Sequence, residues 1–285
     1  MKLPDFQYKR PATVEEAVNL LATHGDDARP IAGGQSLLPV MAFRLSNPKV
    51  LVDLAGIPGL RDIRIDGNGV HVGAMARWRD LLECKQLEQE LPILAEALPH
   101  IAHYQIRNRG TAGGSLANAD PASELPAIAV AYDAVIEVAG KNGKRTIPAG
   151  ELFLGPLTTS LEADEIITGV QFPKQPAGRK WAFLEFAKHR GAFAMAGVAL
   201  TYDDDGGAAK NVHIAVLGAA STPRRLAAAE AALEGKPVGD DTIAAAARAA
   251  AAEIDPSDDI HASAAYRRGL LKTLVERALA AARKS

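Results

Sequence analysis

Apolar residues recur at two different spacings along this chain, and the switch between them divides it. Val14, Ala17, Val18 and Leu21 fall on one helical face, and Thr13 precedes Glu16 by three residues, the spacing of a capping box. A helix is therefore predicted from residue 14 to about Gly25. A short extended piece at 29–31 leads into Gly33 and Gly34, then a helix with Ser36 in the N-cap position and Pro39 in its first turn. The VLVDL run at 50–54 has the apolar density of a buried strand, so residues 1–55 read as a small α/β unit.

From about residue 56 the period becomes two. Residues 61–65 alternate, Gly67, Asn68 and Gly69 supply a turn, and residues 70–73 alternate again, which predicts a hairpin. Residues 134–138 and 145–147, around the turn at 140–143, predict a second. Helices are expected near 77–87, 91–98 and 123–131, and a strand at 165–172, so residues 56–175 read as an antiparallel unit. Pro173, Pro176 and Gly178 then mark a linker. Beyond it the pattern predicts a separate unit over 180–285: three strands near 181–187, 195–202 and 210–217, then helices opening near Pro223, Asp241 and Ser263. The first of these helices should stop at Gly235. Eight of the nine residues from Ala244 to Ala252 are alanine, which favours a closely packed helix. The fold class expected is α+β.

Charge narrows the function. With 34 acidic and 32 basic side chains in 285 residues the net charge is -2, which does not suit a nucleic-acid binder. No apolar run reaches about 18 residues, and MKLPDFQYKRP lacks the apolar stretch of a signal peptide, so a cytoplasmic protein without a membrane span is expected. A single cysteine, Cys84, excludes an internal disulfide, a cysteine zinc site and ligation of an iron-sulfur cluster by this chain alone. It falls in the helical stretch RWRDLLECKQLEQE and is expected to pack.

Two segments carry candidate chemistry. Ala32, Gly33, Gly34, Gln35 and Ser36, and again Thr111, Ala112, Gly113, Gly114 and Ser115, place paired glycines beside small hydroxyl residues ahead of a helix. Glycines reach φ > 0 and carry no Cβ, so successive N–H groups of each loop can converge on a phosphate. One such pair is an ordinary turn; two favour a dinucleotide. Neither G-x-G-x-x-G nor a P-loop occurs, which argues against Rossmann and kinase chemistry. Arg107 and Arg109 are expected to stabilise the second loop or a diphosphate. His100 and His103, three residues apart, read as surface or loop residues rather than metal ligands. The Asp203-Asp204-Asp205-Gly206-Gly207 run reads as a solvated hairpin turn. No G-x-S-x-G elbow supports a hydrolase.

At IAGGQSLLPVMAFRL (31–45), VLVDLAGI (50–57), IRNRGTAGGSLANADPASELPA (106–127), EFAKHRGAFAMAGVA (185–199) and DIHASAAYRRGLL (259–271) the chain resembles the FAD-binding medium subunits of the molybdenum hydroxylases. That family includes carbon monoxide dehydrogenase, quinoline and nicotine dehydrogenases and the flavin domain of xanthine dehydrogenase. The resemblance implies a two-lobed FAD-binding domain of the vanillyl-alcohol-oxidase (PCMH) type over 1–175, followed by a small domain with a three-stranded sheet. It implies non-covalent FAD held by Ala32, Gly33, Gly34, Gln35, Ser36 and Leu37, by Thr111, Ala112, Gly113, Gly114 and Ser115, and by Ile101, Glu124 and Leu161, with Phe193 near the isoalloxazine. Some relatives have His at the place of Gln35 and Tyr at that of Phe193, so two polar contacts to the flavin are missing here. The implied partners are a large molybdenum-cofactor subunit and a small 2Fe-2S subunit in a dimer of heterotrimers. Electrons from the clusters would pass through FAD to an external acceptor. The stretches NRGTAGGSLANAD, EFAKHRGAFAMAG and DIHAS look closer to the quinoline and nicotine branch than to the carbon monoxide branch, which implies an aromatic N-heterocycle as substrate of the complex. The alternatives are a medium subunit of a carbon monoxide or aldehyde dehydrogenase, and a stand-alone flavin oxidase.

Overall fold

The computed structural model describes residues 2–284. Its first unit contains β1 (Gln7–Lys9), α1 (Val14–His24), β2 (Ala28–Ile31), α2 (Leu37–Ala42) and β3 (Val50–Asp53). The strands form a parallel sheet in the order β1-β3-β2. Val50, Leu51 and Val52 of β3 are buried, as their apolar run requires, and Asp53 is buried with its carboxylate accepting from the Tyr8 hydroxyl and the Ala55 N–H. Thr13 caps α1 by accepting from the N–H of Glu16, while the Glu16 carboxylate accepts from the N–H of Ala12, one residue further back than the capping-box pattern. The Ser36 side chain makes no cap bond to α2.

The second unit is built on β4 (Ile63–Asp66), β5 (Gly69–Gly73), β6 (Val135–Gly140), β7 (Gly143–Pro148) and β10 (Ile166–Pro173). These form a wholly antiparallel sheet in the order β4-β5-β10-β6-β7. Both predicted hairpins are present. A two-stranded excursion, β8 (Phe153–Gly155) with β9 (Thr158–Thr159), follows the one-turn helix α9 (Ala149–Leu152). Between β5 and β6 lie α3 (Trp78–Glu83), α4 (Leu87–Glu90), α5 (Pro92–Ala97), α6 (Tyr104–Arg107), α7 (Ala112–Asn118) and α8 (Glu124–Ala131). The helix expected over 77–87 breaks at Cys84, whose ψ of 89° ends α3. The second glycine pair lies inside α7 rather than in a loop ahead of it.

The third unit opens with β11 (Lys180–Ala187), β12 (Ala194–Asp205) and β13 (Ala208–Leu217), and the Asp-rich run is the exposed β12-β13 turn. The expected three-stranded sheet has a fourth strand, β14 (Arg224–Arg225), paired with Ala215 and Val216. Residues near Pro223 are thus extended, and α10 (Ala227–Leu233) starts later than predicted. Its first N–H groups, those of Ala227 and Ala228, donate at 3.0 and 2.8 Å to the carboxylate of Glu253, the last residue of α11 (Asp240–Glu253). The alanine run of α11 buries Ala246, Ala247 and Ala250 between α10 and α12 (Ala264–Ala282).

The units share a core. All eight residues of α8 are buried, and Ile128 and its neighbours belong to one apolar cluster with Phe183, Ala194, Ala199, Ala215 and Leu217 of the third unit. Polar contacts cross the same seam: His213 Nδ1 meets the Ala131 carbonyl at 2.8 Å, and Gly218 N–H donates to the Pro121 carbonyl at 2.8 Å.

Candidate functional site

A cavity of about 520 Å³ opens where the β2-α2 connection, the start of α7 and the segment at 191–193 meet. Ala32, Gly33, Gly34, Gln35, Ser36 and Leu37 line it, and so do Thr111, Gly113, Gly114 and Ser115. Ile101, Glu124 and Leu161 complete its wall, and Phe193 stands at its mouth, 70% exposed. Ala112 does not reach it: that side chain is fully buried and its N–H donates to the Ala76 carbonyl. The lining also includes Met75, Trp78 and Ile167, which carry no motif and are brought in by the turn after β5, by α3 and by β10, and Ile106 of α6.

The two glycine segments differ in what they offer. In the first, Gly34 has φ +73°, open to glycine at no steric cost. A Cβ on Gly33 would lie 2.2 Å from the Arg109 carbonyl oxygen, so only glycine lets this loop rest on the backbone ahead of α7. Arg109 Nε and Gln35 Nε2 both donate to the Gly33 carbonyl, at 3.3 and 3.2 Å. Among the described residues the N–H groups from Gly33 to Leu37 have no acceptor within the chain. Such a run of free N–H groups beside a cavity is an anion cradle.

The second segment is not a second cradle. Its N–H groups are already used: Ala112 and Gly113 donate to Ala76 and Ala74, Gly114 to Thr111 Oγ1, and Ser115 to the Thr111 carbonyl. It contributes instead the Ser115 and Thr111 hydroxyls and a close approach of α7 to the turn after β5, since a Cβ on Gly113 would meet that of Ala74 at 2.5 Å. Arg107 holds the adjacent turn by donating to the carbonyls of Ile101 and Ala102 at 2.9 and 2.8 Å.

Electrostatics mark one wall. Glu124 is 8% exposed, and burial, reinforced by the charge of Glu185, pushes its carboxyl up to about 8, so it is protonated at neutral pH. His100 lies behind it, its Nδ1 3.2 Å from Glu185 Oε1, and this bond raises its pKa against the opposing effect of burial. His103 turns elsewhere and stacks on His189 with ring centroids 6.3 Å apart, so the two histidines do not share a ligand. Among the described residues no group of three or more His, Cys, Asp or Glu is placed to hold a metal ion.

Residues 4–175 match the family model for the FAD binding domain in molybdopterin dehydrogenase, and residues 181–282 that for the CO dehydrogenase flavoprotein C-terminal domain. The chain belongs to the FAD-carrying medium subunits of the molybdenum hydroxylases. The nicotine 6-hydroxylase medium subunit of Paenarthrobacter nicotinovorans is 43% identical over 279 residues, 98% of each chain. The 6-hydroxypseudooxynicotine dehydrogenase complex subunit alpha of the same organism is 44% identical over 99% of this chain and 96% of its own. The structure of carbon monoxide dehydrogenase from Hydrogenophaga pseudoflava contains a chain of 41% identity that superposes with a TM-score of 0.97, covering 100% of this chain and 99% of that one.

The cavity of this medium subunit fits a flavin dinucleotide. Its volume lies in the range of cofactor sites. The cradle at 33–37 suits a diphosphate, and the apolar surface of Ile101, Ile106, Leu161 and Trp78 suits a ring system. When bound, FAD supplies stepwise acceptance and release of electrons. The chain's own part is to hold the anion through fixed N–H dipoles, to exclude water with the apolar wall, and to keep a neutral acid, Glu124, against the cavity.

Proposed function

We propose that this medium subunit binds one FAD non-covalently in the cavity between residues 32–37 and 111–115. Bound there, the cofactor relays electrons from the 2Fe-2S clusters of a small partner to an external acceptor. The diphosphate lies on the N–H groups of Gly33 to Leu37, Thr111 and Ser115 add hydroxyl donors, and Ile101, Glu124, Leu161 and Phe193 border the rest. Residues 1–175 act as a PCMH-type binding domain with lobes at 1–55 and 56–175, and 180–285 as the flavoprotein C-terminal domain. The molybdenum cofactor and the substrate site belong to a large partner, and the complex is a cytoplasmic dimer of heterotrimers. Likeness to a nicotine 6-hydroxylase medium subunit and to a 6-hydroxypseudooxynicotine dehydrogenase complex subunit supports an aromatic N-heterocycle as the compound oxidised.

The observation that carries this reading is the run of unpaired N–H groups at 33–37 facing a cavity of cofactor size. Titrating the flavin-free chain with FAD should give one bound flavin per chain, with quenched fluorescence and a shifted visible spectrum. A folded chain that takes up no flavin overturns it. In native extracts, an iron-containing and a molybdenum-containing chain should co-purify with this one.

A further inference from the structure

Iron-sulfur clusters deliver electrons without protons, whereas two-electron reduction of an isoalloxazine, FAD + 2e⁻ + 2H⁺ → FADH₂, consumes both. A chain that encloses the ring in an apolar cavity must therefore also admit protons. One wall of this cavity holds an unusual set of groups for that purpose. Glu124, at the start of α8, lines the cavity, and apart from its own backbone N–H nothing in the described residues hydrogen-bonds its carboxyl. Glu185, on β11, has a side chain only 4% exposed, and its Oε2 is buried without a partner while Oε1 meets His100. His100, between α5 and α6, is 40% exposed and so reaches solvent.

Burying two carboxyls that feel each other's charge, one of them with an oxygen unsatisfied, is costly in a folded chain, which makes the cluster a poor structural device and a good proton carrier. The charged groups facing Glu124 are Glu185 from β11, His100 from the α5-α6 connection and Asp120 from the turn before α8; Glu96 of α5 faces His100. The acids keep the Glu124 proton in place until negative charge develops in the cavity.

We infer that His100, Glu185 and Glu124 form a proton-uptake route from solvent into the cofactor cavity. On reduction the Glu124 O–H bond breaks as an N–H bond forms on the ring, once for each of the two protons, with Glu124 recharged in between. The carboxylate is then recharged through Glu185 Oε2 from the His100 imidazolium, which takes its replacement from water. Electrons come from the partner's iron-sulfur clusters, so no further reactant is needed. The route rests on FAD occupying this cavity.

The test uses the assembled, FAD-loaded complex. Reduced-minus-oxidised infrared spectra should show the carbonyl band of a neutral carboxylic acid that shifts in D₂O and is absent in Glu124→Gln. Stopped-flow reduction by substrate should leave cluster reduction unchanged, while flavin reduction in Glu124→Gln slows by about 100-fold, the scale of a lost proton donor. His100→Gln should slow flavin reduction in a manner that added imidazole reverses. Should Glu124→Gln lose its flavin, Glu185→Gln serves instead: with the neighbouring charge removed, the acid band should titrate away at lower pH. A flavin-loaded Glu124→Gln with wild-type band and rate, or a Glu185→Gln with wild-type titration and rate, overturns the route. A wild-type complex without flavin in this chain would instead overturn the underlying assignment.

Discussion

Replacing Gly33 by alanine tests the contact between the two glycine segments. The added Cβ would stand 2.2 Å from the Arg109 carbonyl oxygen, 2.8 Å from its carbon and 2.9 Å from Gly110 Cα. Ordinary contact begins at 3.4 Å, so the deficit against the oxygen is 3.4 minus 2.2, or 1.2 Å. All three neighbours are backbone, and no side-chain rotation relieves the overlap. The loops must part by about that deficit, which also breaks the 3.3 Å bond from Arg109 Nε to the Gly33 carbonyl. Overpacking of this kind costs about 1–3 kcal/mol. In the flavin-free chain the loop at 32–37 relaxes outward and avoids most of the strain; a bound dinucleotide needs both segments together and restores it. FAD affinity should therefore fall about 5- to 150-fold, while the flavin-free chain loses under about 1 kcal/mol of stability. Fluorescence titration with FAD and thermal unfolding of the flavin-free protein measure the two. Gly150→Ala is the control, since a Cβ there has no neighbour within 4 Å and its φ is not positive; it should leave FAD affinity unchanged and, lying in α9, raise stability by up to about 1 kcal/mol. A Gly33→Ala variant with FAD affinity within twofold of wild type would refute the reasoning.

Three further outcomes follow from particular contacts. The raised pKa of Glu124 means that its contribution to stability is fully present below about pH 4.5 and is lost as pH rises through about 8. Flavin-free Glu124→Gln should thus gain on wild type at about 1.4 kcal/mol per pH unit between about pH 4.5 and about pH 8 and level off above that, in denaturant titrations; parallel curves would contradict this. Arg267, 7% exposed, donates to the carbonyls of Met195 and Gly218 at 2.7 Å and to Asp259 at 2.6 Å, so Arg267→Ala should cost about 3–5 kcal/mol. Lysine lacks the fork and should not rescue it; a wild-type denaturation midpoint in Arg267→Lys would refute that. Phe193→Ala, at an exposed ring, should leave unfolding within about 0.5 kcal/mol of wild type but change the rate of flavin reoxidation. It should also preserve the rank order of substrates in anaerobic reduction, and a changed order would refute the separation of roles.

What was legible in the sequence was what neighbours in sequence decide. Thr13 with Glu16, the Gly67-Asn68-Gly69 turn and the VLVD run each determine structure within a few residues. The second glycine pair misled for the opposite reason. Two glycines disfavour a helix by about 1 kcal/mol each, yet Gly113 must sit on Ala74, so the tertiary contact overrides the propensity. β14 is two arginines with no strand pattern, held by pairing to β13 and by the salt bridges of Arg225 with Glu230 and Asp133. The bond between His100 and Glu185 joins positions 85 apart in the chain (185 minus 100), and no spacing rule reaches that far. Family likeness picked out Glu124, but its neutral state could be read only from its burial.

The position of α8 has a consequence for where the chain can be divided. With the helix enclosed on every side and bonded through Ala131 to His213, the stretch around Pro173–Gly178 is no place to cut, although its composition resembles a flexible joint. A fragment ending there would leave bare apolar surface that water penalises by about 25 cal/mol per Å², and it should aggregate rather than act as a portable flavin module. The same cohesion sets the 191–193 segment of the third unit against a cavity formed by the first two, so a chain shortened at the joint would lose Phe193, and with it part of what borders the cofactor, along with its own core.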